Sequence, residues 1–222
     1  MPVRNYDAIL AGGGAAGLSL AYRLKEAWPD IKVLIVDEKV KRHNDHTWCF
    51  WSTEPTYLDA ITYREWDRVD VIGEGAHLKF PLAPYSYRMV RGADFYRFMR
   101  EALAERPGVE FQYGTVTRVV DGEDRAEVWV NELAYGADWV FDSRYRPSSY
   151  RPRSPRYHYL TQHFLGWEIE SEHPIFNPEA VRLFDFRTPQ RGAMRFVYVL
   201  PYSETRGLVE YTLFSKELLP EH

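Results

Sequence analysis

A single cysteine, Cys49, stands among the 222 residues. No internal disulfide can form, and a reducing compartment is the default for such a chain. Long apolar runs are also missing, and nothing approaches the roughly 20 residues of a membrane span. The opening residues 1–6 lack a charged region followed by an apolar one, so no secretory signal is expected. Charge of either sign is barely in excess: 28 Lys and Arg against 32 Asp and Glu leave −4. With no concentrated basic tract, a nucleic-acid partner is not expected. Histidines are few. His43 and His46 lie three apart and His163 is remote, whereas a metal site needs three or four convergent ligands; no metal is expected. Cys49 lacks an indicated base partner, which argues against a nucleophilic role.

Aromatic residues, by contrast, are abundant: 16% of the chain, with 16 Tyr and 7 Trp. Such a composition suits aromatic-rich sheets, or a pocket for a large apolar or cationic species. The length allows one large domain or two small ones with a real core.

The most informative stretch is Tyr6-Asp-Ala-Ile-Leu-Ala-Gly12-Gly-Gly14-Ala-Ala-Gly17. An apolar run enters glycines spaced G-x-G-x-x-G, an Ala- and Leu-rich helix follows, and Val33-Leu-Ile-Val-Asp37 comes after it. This is the dinucleotide-binding βαβ fingerprint in context. Gly12 permits the tight turn, Gly14 lets backbone approach a pyrophosphate, and Gly17 lets the helix pack close to the strand. The helix N-terminus offers free N–H groups to phosphates, and Asp37 is placed to accept from a ribose hydroxyl.

The spacing predicts strands over 6–11 and 32–37 around a helix over 15–27, which Trp28-Pro29-Asp30 ends. A loop is expected over 38–53, then short strands at 69–72, 77–80 and 85–90. A second helix over 92–106 is stopped by Pro107-Gly108. Strands at 109–113, 116–120, 126–130 and 137–141 follow. Residues 145–159, rich in Arg, Pro, Ser and Tyr, read as a linker or irregular crossover. Later strands at 161–170, 181–187, 195–200 and 207–214 are spaced as in an antiparallel sheet. The fold class expected is α/β: a Rossmann-type FAD-binding domain with an inserted antiparallel-sheet substrate domain, as in two-domain flavoproteins. Residues 1–53 and 88–150 form the first domain, 54–87 and 151–222 the second.

Several blocks then resemble bacterial lycopene β-cyclases. They are the entry 6–17, Asn44-Asp-His-Thr-Trp-Cys-Phe-Trp51, the run from Tyr85 to Tyr96, Phe141-Asp-Ser-Arg144, Gln162-His-Phe-Leu-Gly-Trp167, Asp185-Phe-Arg-Thr-Pro-Gln190, Arg195-Phe-Val-Tyr-Val-Leu-Pro201 and Leu208-Val-Glu-Tyr-Thr212. The glycine motif is common to many flavoproteins; the later blocks together are more specific. The resemblance implies a non-redox isomerase that binds FAD in reduced form, with NAD(P)H as external reductant. It closes the linear ends of lycopene into β-ionone rings. It further implies a peripheral protein at the inner face of the cell membrane that draws a linear carotene from the bilayer. Related flavoproteins carry a late Gly-Asp phosphate motif absent here, so an N-terminal part is expected, with the C-terminal part missing. Alternatives on the same scaffold are an FAD-dependent oxidoreductase (a monooxygenase or prenyl reductase) and an inactive flavin-binding fragment.

By resemblance, Glu210 is the catalytic acid–base, and Tyr211 stands where the family has a second acid. Protonating an alkene makes a tertiary cation, and later proton loss gives the ring alkene; one carboxyl group suits both steps. An apolar pocket would raise its pKa. The alternation of Leu208, Glu210 and Thr212 against Val209, Tyr211 and Leu213 allows either face, and the residues alone favour solvent. The resemblance reverses that preference. Cofactor-binding candidates are Gly12, Gly14, Gly17, Asp37, Arg91 (a phosphate contact, or a helix-cap or surface arginine) and Val116 (a strand beside adenine, or plain core). Trp48, Phe50 and Trp51 either line a flavin–polyene boundary or pack under a loop. Asp142-Ser143-Arg144 reads as a structural turn.

Overall fold

The computed structural model describes residues 4–144, 154 and 156–218. Most of the crossover expected over 145–159 lies outside the described residues. In chain order the first strands are β1 (Arg4–Ala11), β2 (Val33–Asp37), β3 (Thr47–Ser52), β4 (Thr62–Trp66), β5 (Arg68–Gly73), β6 (Ala76–Pro81) and β7 (Ser86–Arg91). Then come β8 (Val109–Tyr113), β9 (Val116–Val120), β10 (Ala126–Val130), β11 (Leu133–Asp142), β12 (Thr161–Glu170), β13 (Val181–Asp185), β14 (Met194–Pro201) and β15 (Arg206–Ser215). Helix α1 spans Ala15–Ala27 and α2 spans Gly92–Ala104. The chain divides into two compact units: Met1–Thr47 with Arg91–Pro147, and Trp48–Val90 with Ser148–His222.

The first unit is built on a six-stranded sheet in the order β8-β2-β1-β11-β10-β9. Strands β8, β2, β1 and β11 run parallel, whereas β10 and β9 continue as an antiparallel meander. Central parallel strands are covered on both faces, so they read as unbroken apolar runs. Val33, Leu34, Ile35 and Val36 are all buried, as are Ile9, Leu10 and Ala11. Helix α1 buries Gly17, Leu18 and Ala21, and α2 buries Phe95, Tyr96, Met99 and Leu103.

Lys25 is buried at the end of α1. Its ammonium donates to the carbonyls of Ile31 at 3.0 Å, Pro107 at 2.7 Å and Pro29. A buried charge needs such partners, and here it ties the turn after α1 to the turn after α2.

The second unit carries a six-stranded sheet, β12-β15-β14-β13-β5-β6, and a three-stranded one, β3-β7-β4. Four of its strands are antiparallel neighbours, as the sequence spacing implies. The join of β13 to β5 is parallel; these strands belong to the two separate chain segments of the unit. Trp66, Val69, Tyr87, Met89, Val181, Leu200 and Leu208 form the core. Two strands depart from the sequence reading. β3 occupies the second half of the loop expected over 38–53. Its Trp48-Cys49-Phe50-Trp51 run has no polar alternation to mark a strand. β4 was also unmarked; it holds Arg64 and Glu65, and one terminal nitrogen of Arg64 donates to the Pro178 carbonyl at 2.9 Å.

Candidate functional site

The glycine turn in the first unit is laid out residue by residue. Gly12 has φ +126°, a backbone state open to glycine and strained for other residues. Its N–H donates to the Val36 carbonyl at 2.8 Å, tying the turn to β2. A Cβ on Gly12 would run into the Ser143 hydroxyl, and one on Gly17 into the Gly12 carbonyl. Gly17 is thus the close-packing residue. A Cβ on Gly14 would meet only the Lys41 ammonium, at 3.7 Å, so Gly14 faces open space. The first turn of α1 has no side-chain cap and no acidic residue, leaving its amides and positive dipole end free for an anion.

In front of that turn lies a cavity of about 330 Å³, bounded by Gly12, Gly14, Asp37, Lys41, Val116 and Arg144 among others. Asp37 ends β2, and its carboxylate is 3.0 Å from the Lys41 ammonium. The Val116 carbonyl accepts from the Arg144 guanidinium. Asp142 holds that guanidinium with two bonds of 2.8 and 2.7 Å. Four of the sequence candidates, Gly12, Gly14, Asp37 and Val116, therefore come together, with Gly17 packed behind them. Arg91 does not join them: it is outside this lining, and its guanidinium donates to Asp94 at 2.7 Å. Sequence reasoning passed over Lys41, and read Arg144 as part of a turn. Their only signal was position, four residues after Asp37 and two residues after the strand end.

In the second unit, Glu210 sits on β15 between Gly166 of β12 and Tyr198 of β14. Paired residues share a face. A Cβ on Gly166 would stand 2.8 Å from the Glu210 Cγ, so the missing side chain leaves the space that the glutamate crosses. Glu210 is half-buried, and burial raises its pKa above the ordinary 4.5. The Tyr198 and Tyr87 hydroxyls are 3.0 Å apart. Both are within hydrogen-bonding reach of Cys49, whose thiol burial pushes up to about 11. That favours the neutral thiol over a nucleophilic thiolate. Trp51 packs on Tyr87 with ring centroids 4.5 Å apart.

The same sheet face is aromatic beyond Tyr198. Phe196 lies two residues earlier on β14, with Phe184, Phe186 and Phe214 at centroid distances of 5.0, 5.8 and 6.5 Å. Tyr211 takes the opposite face, where its hydroxyl accepts from Arg195 at 3.3 Å. Burial acts to raise the Tyr211 pKa, but the hydrogen bonds from Arg195 and Thr188 outweigh it and the net shift is downward. A half-buried carboxyl among aromatic rings can hold a proton, deliver it to an apolar molecule and take one back.

A sequence model described as lycopene cyclase protein matches residues 7–222. The chain belongs to this family. Among curated relatives, the lycopene beta-cyclase of Paracoccus sp. (strain N81106 / MBIC 01143) is 28% identical over 220 residues, which cover 95% of this chain and 52% of that protein. The lycopene beta-cyclase of Pantoea ananas is 27% identical, over 94% of this chain and 52% of that protein. The chain spans about half the length of these relatives. Solved structures extend the likeness to fold. The probable FAD-dependent monooxygenase pqsL of Pseudomonas aeruginosa superposes with a TM-score of 0.64 at 16% identity, over 96% of this chain and 61% of that one. The flavin-dependent brominase Bmp2 gives 0.62 at 15%, over 94% and 56%. The expected two-domain flavoprotein fold is thereby shown.

Proposed function

We propose that the chain carries the nucleotide-binding and acid–base parts of an FAD-dependent lycopene β-cyclase, with Glu210 as the acid–base. The observation that carries this reading is the half-buried Glu210 carboxyl, its pKa raised by burial, on an aromatic sheet face of a lycopene cyclase family chain.

The chain's residues fit the cofactor. Gly14 leaves room for a pyrophosphate against the free amides of α1, and Asp37 offers a carboxylate to a ribose once Lys41 yields it. Gly12 and Gly17 keep the turn tight, and Val116 with Arg144 forms the far wall. Arg91, paired with Asp94, is not included in this set. When bound, reduced FAD supplies an electron-rich surface that favours a nearby cation, with NAD(P)H as its external reductant.

Glu210 gives its proton to the terminal alkene of the polyene, which becomes a tertiary cation. The neighbouring double bond attacks that cation, forming the ring bond and moving the charge within the ring. The Glu210 carboxylate then removes a ring proton, and the ring alkene forms. Protons in and out balance, and no electrons are exchanged with the substrate. Aromatic faces such as those of Phe196 and Tyr198 favour the cation by roughly 0.5–2 kcal/mol each without trapping it as a nucleophile would. The substrate is a hydrocarbon, and no helix among the described residues is long and apolar enough to cross a membrane. Peripheral contact at the inner face of the cell membrane is therefore the proposed mode of substrate entry.

The test is expression of the gene product and its Glu210→Gln variant in a lycopene-accumulating host. The variant is expected to lose β-ring formation by about 100-fold or more, the scale of acid–base catalysis. Equal ring yield would remove Glu210 from the reaction.

A further inference from the structure

The first unit holds a second and larger cavity, of about 540 Å³, that the cyclisation chemistry does not use. Three elements form it. The outer face of α2 brings Arg97 and Arg100, the loop after β2 brings Lys41 and Arg42, and the edge strand β8 brings Phe111 and Tyr113. The periodicities explain this convergence. Ala93, Arg97, Arg100 and Ala104 recur on one helical face, opposite the face buried as Phe95, Met99 and Leu103. Phe111 and Tyr113 are two apart on one strand and share a side. Ala93 and Ala104 keep the floor low.

The charge is lopsided. Four cations line this cavity and Glu101 is its one acid, although the chain as a whole is at −4. Lys41 is paired with Asp37 and Arg97 with Asp94. Among the described residues, Arg42 and Arg100 take part in no hydrogen bond or ion pair. Two uncommitted guanidiniums and two aromatic rings that line one concave space match a phosphate ester joined to a planar ring system. A flat headgroup-binding surface would not need the aromatic wall.

We infer that this cavity binds the phosphorylated adenosine end of a nicotinamide dinucleotide, with Arg42 and Arg100 on its phosphomonoester and Phe111 or Tyr113 beside its base. The inference rests on the proposed function for the need of a reductant, and it adds which reductant is chosen and where it docks. The phosphomonoester carries about −1.5 to −2 charges near neutral pH, which the unphosphorylated dinucleotide lacks, so the site predicts selectivity for the phosphorylated form.

The experiment is anaerobic titration calorimetry of the flavin-loaded gene product with NADPH and with NADH, repeated for Arg42→Ala, Arg100→Ala and the double variant. Each single change is expected to weaken NADPH binding about ten-fold, as for a charge-assisted hydrogen bond, and to leave NADH affinity unchanged. Flavin absorbance and Tm serve as controls for folding. Unaltered NADPH affinity in the double variant, or equal losses for both dinucleotides, would overturn the assignment. Flotation with vesicles of anionic and of zwitterionic lipid tests the competing source of phosphate. Variants that keep NADPH affinity but lose anionic vesicles alone would also overturn it. Failure of the cyclase reading is separate: Glu210→Gln leaves NADPH binding intact whether or not rings are formed.

Discussion

Glu210 gives the residue scale its clearest consequence. Its pKa in the folded protein is raised by burial, so the folded state holds this proton more tightly than the unfolded chain does. The sign follows: stability associated with the group is fully present below its unfolded pKa and falls as pH rises through the higher folded value. Glu210→Gln removes that ionisation. The variant is expected to melt at the same temperature as the wild type in acid and at a higher one at neutral pH, read from thermal melts across pH. A variant less stable than the wild type at neutral pH would mean that the ionised carboxylate is well partnered. The family resemblance singled out Glu210, and the glycine spacing singled out the turn, because each lies in a contiguous block of sequence. Tyr87, Tyr198 and Cys49 were illegible as a group, since three strands distant in the chain bring them together. Arg91 was open to two readings, a phosphate contact or a helix-cap or surface arginine. Its guanidinium pairs with Asp94, three residues on in α2.

At the scale of elements, both helices and all the strands except β3 and β4 were readable. The sequence marked β1, α1, β2, α2 and β8 through unbroken apolar runs, helical spacing and the Pro stops. β3 escaped because Trp48, Cys49, Phe50 and Trp51 follow one another with no polar residue between them, which gives no alternation to detect. β4 escaped because Arg64 and Glu65 look like loop residues until their partners across the sheet are known. Lys25 belongs to the same lesson: a lysine in an amphipathic helix reads as surface, yet it is buried with three carbonyls around it. Lys25→Met keeps the apolar stem and strands those carbonyls. It is expected to destabilise the protein by about 3 kcal/mol, since each unsatisfied buried group costs about 1–3 kcal/mol. Denaturant titration measures this; a loss below about 0.5 kcal/mol would show that water replaces the ammonium.

For the whole molecule, the order of elements was enough to indicate the two-unit flavoprotein fold. A βαβ start, an interruption by short strands, a return through a helix to the first sheet and a final run of long strands leave few other topologies. The chemistry is another matter, because folds host many reactions and the site decides among them. The fold neighbours include a brominase and a monooxygenase at no more than 16% identity, and the family match rather than the architecture separates this chain from them. The central claim is that Glu210 moves a solvent-exchangeable proton onto the polyene without net electron transfer. The most direct measurement is an anaerobic turnover in D₂O of the gene product holding pre-reduced flavin, with lycopene as substrate. The account predicts one deuterium retained per ring formed, flavin still reduced at the end, and neither rings nor deuterium with Glu210→Gln. Rings without deuterium, or one flavin oxidised for each ring closed, would contradict it.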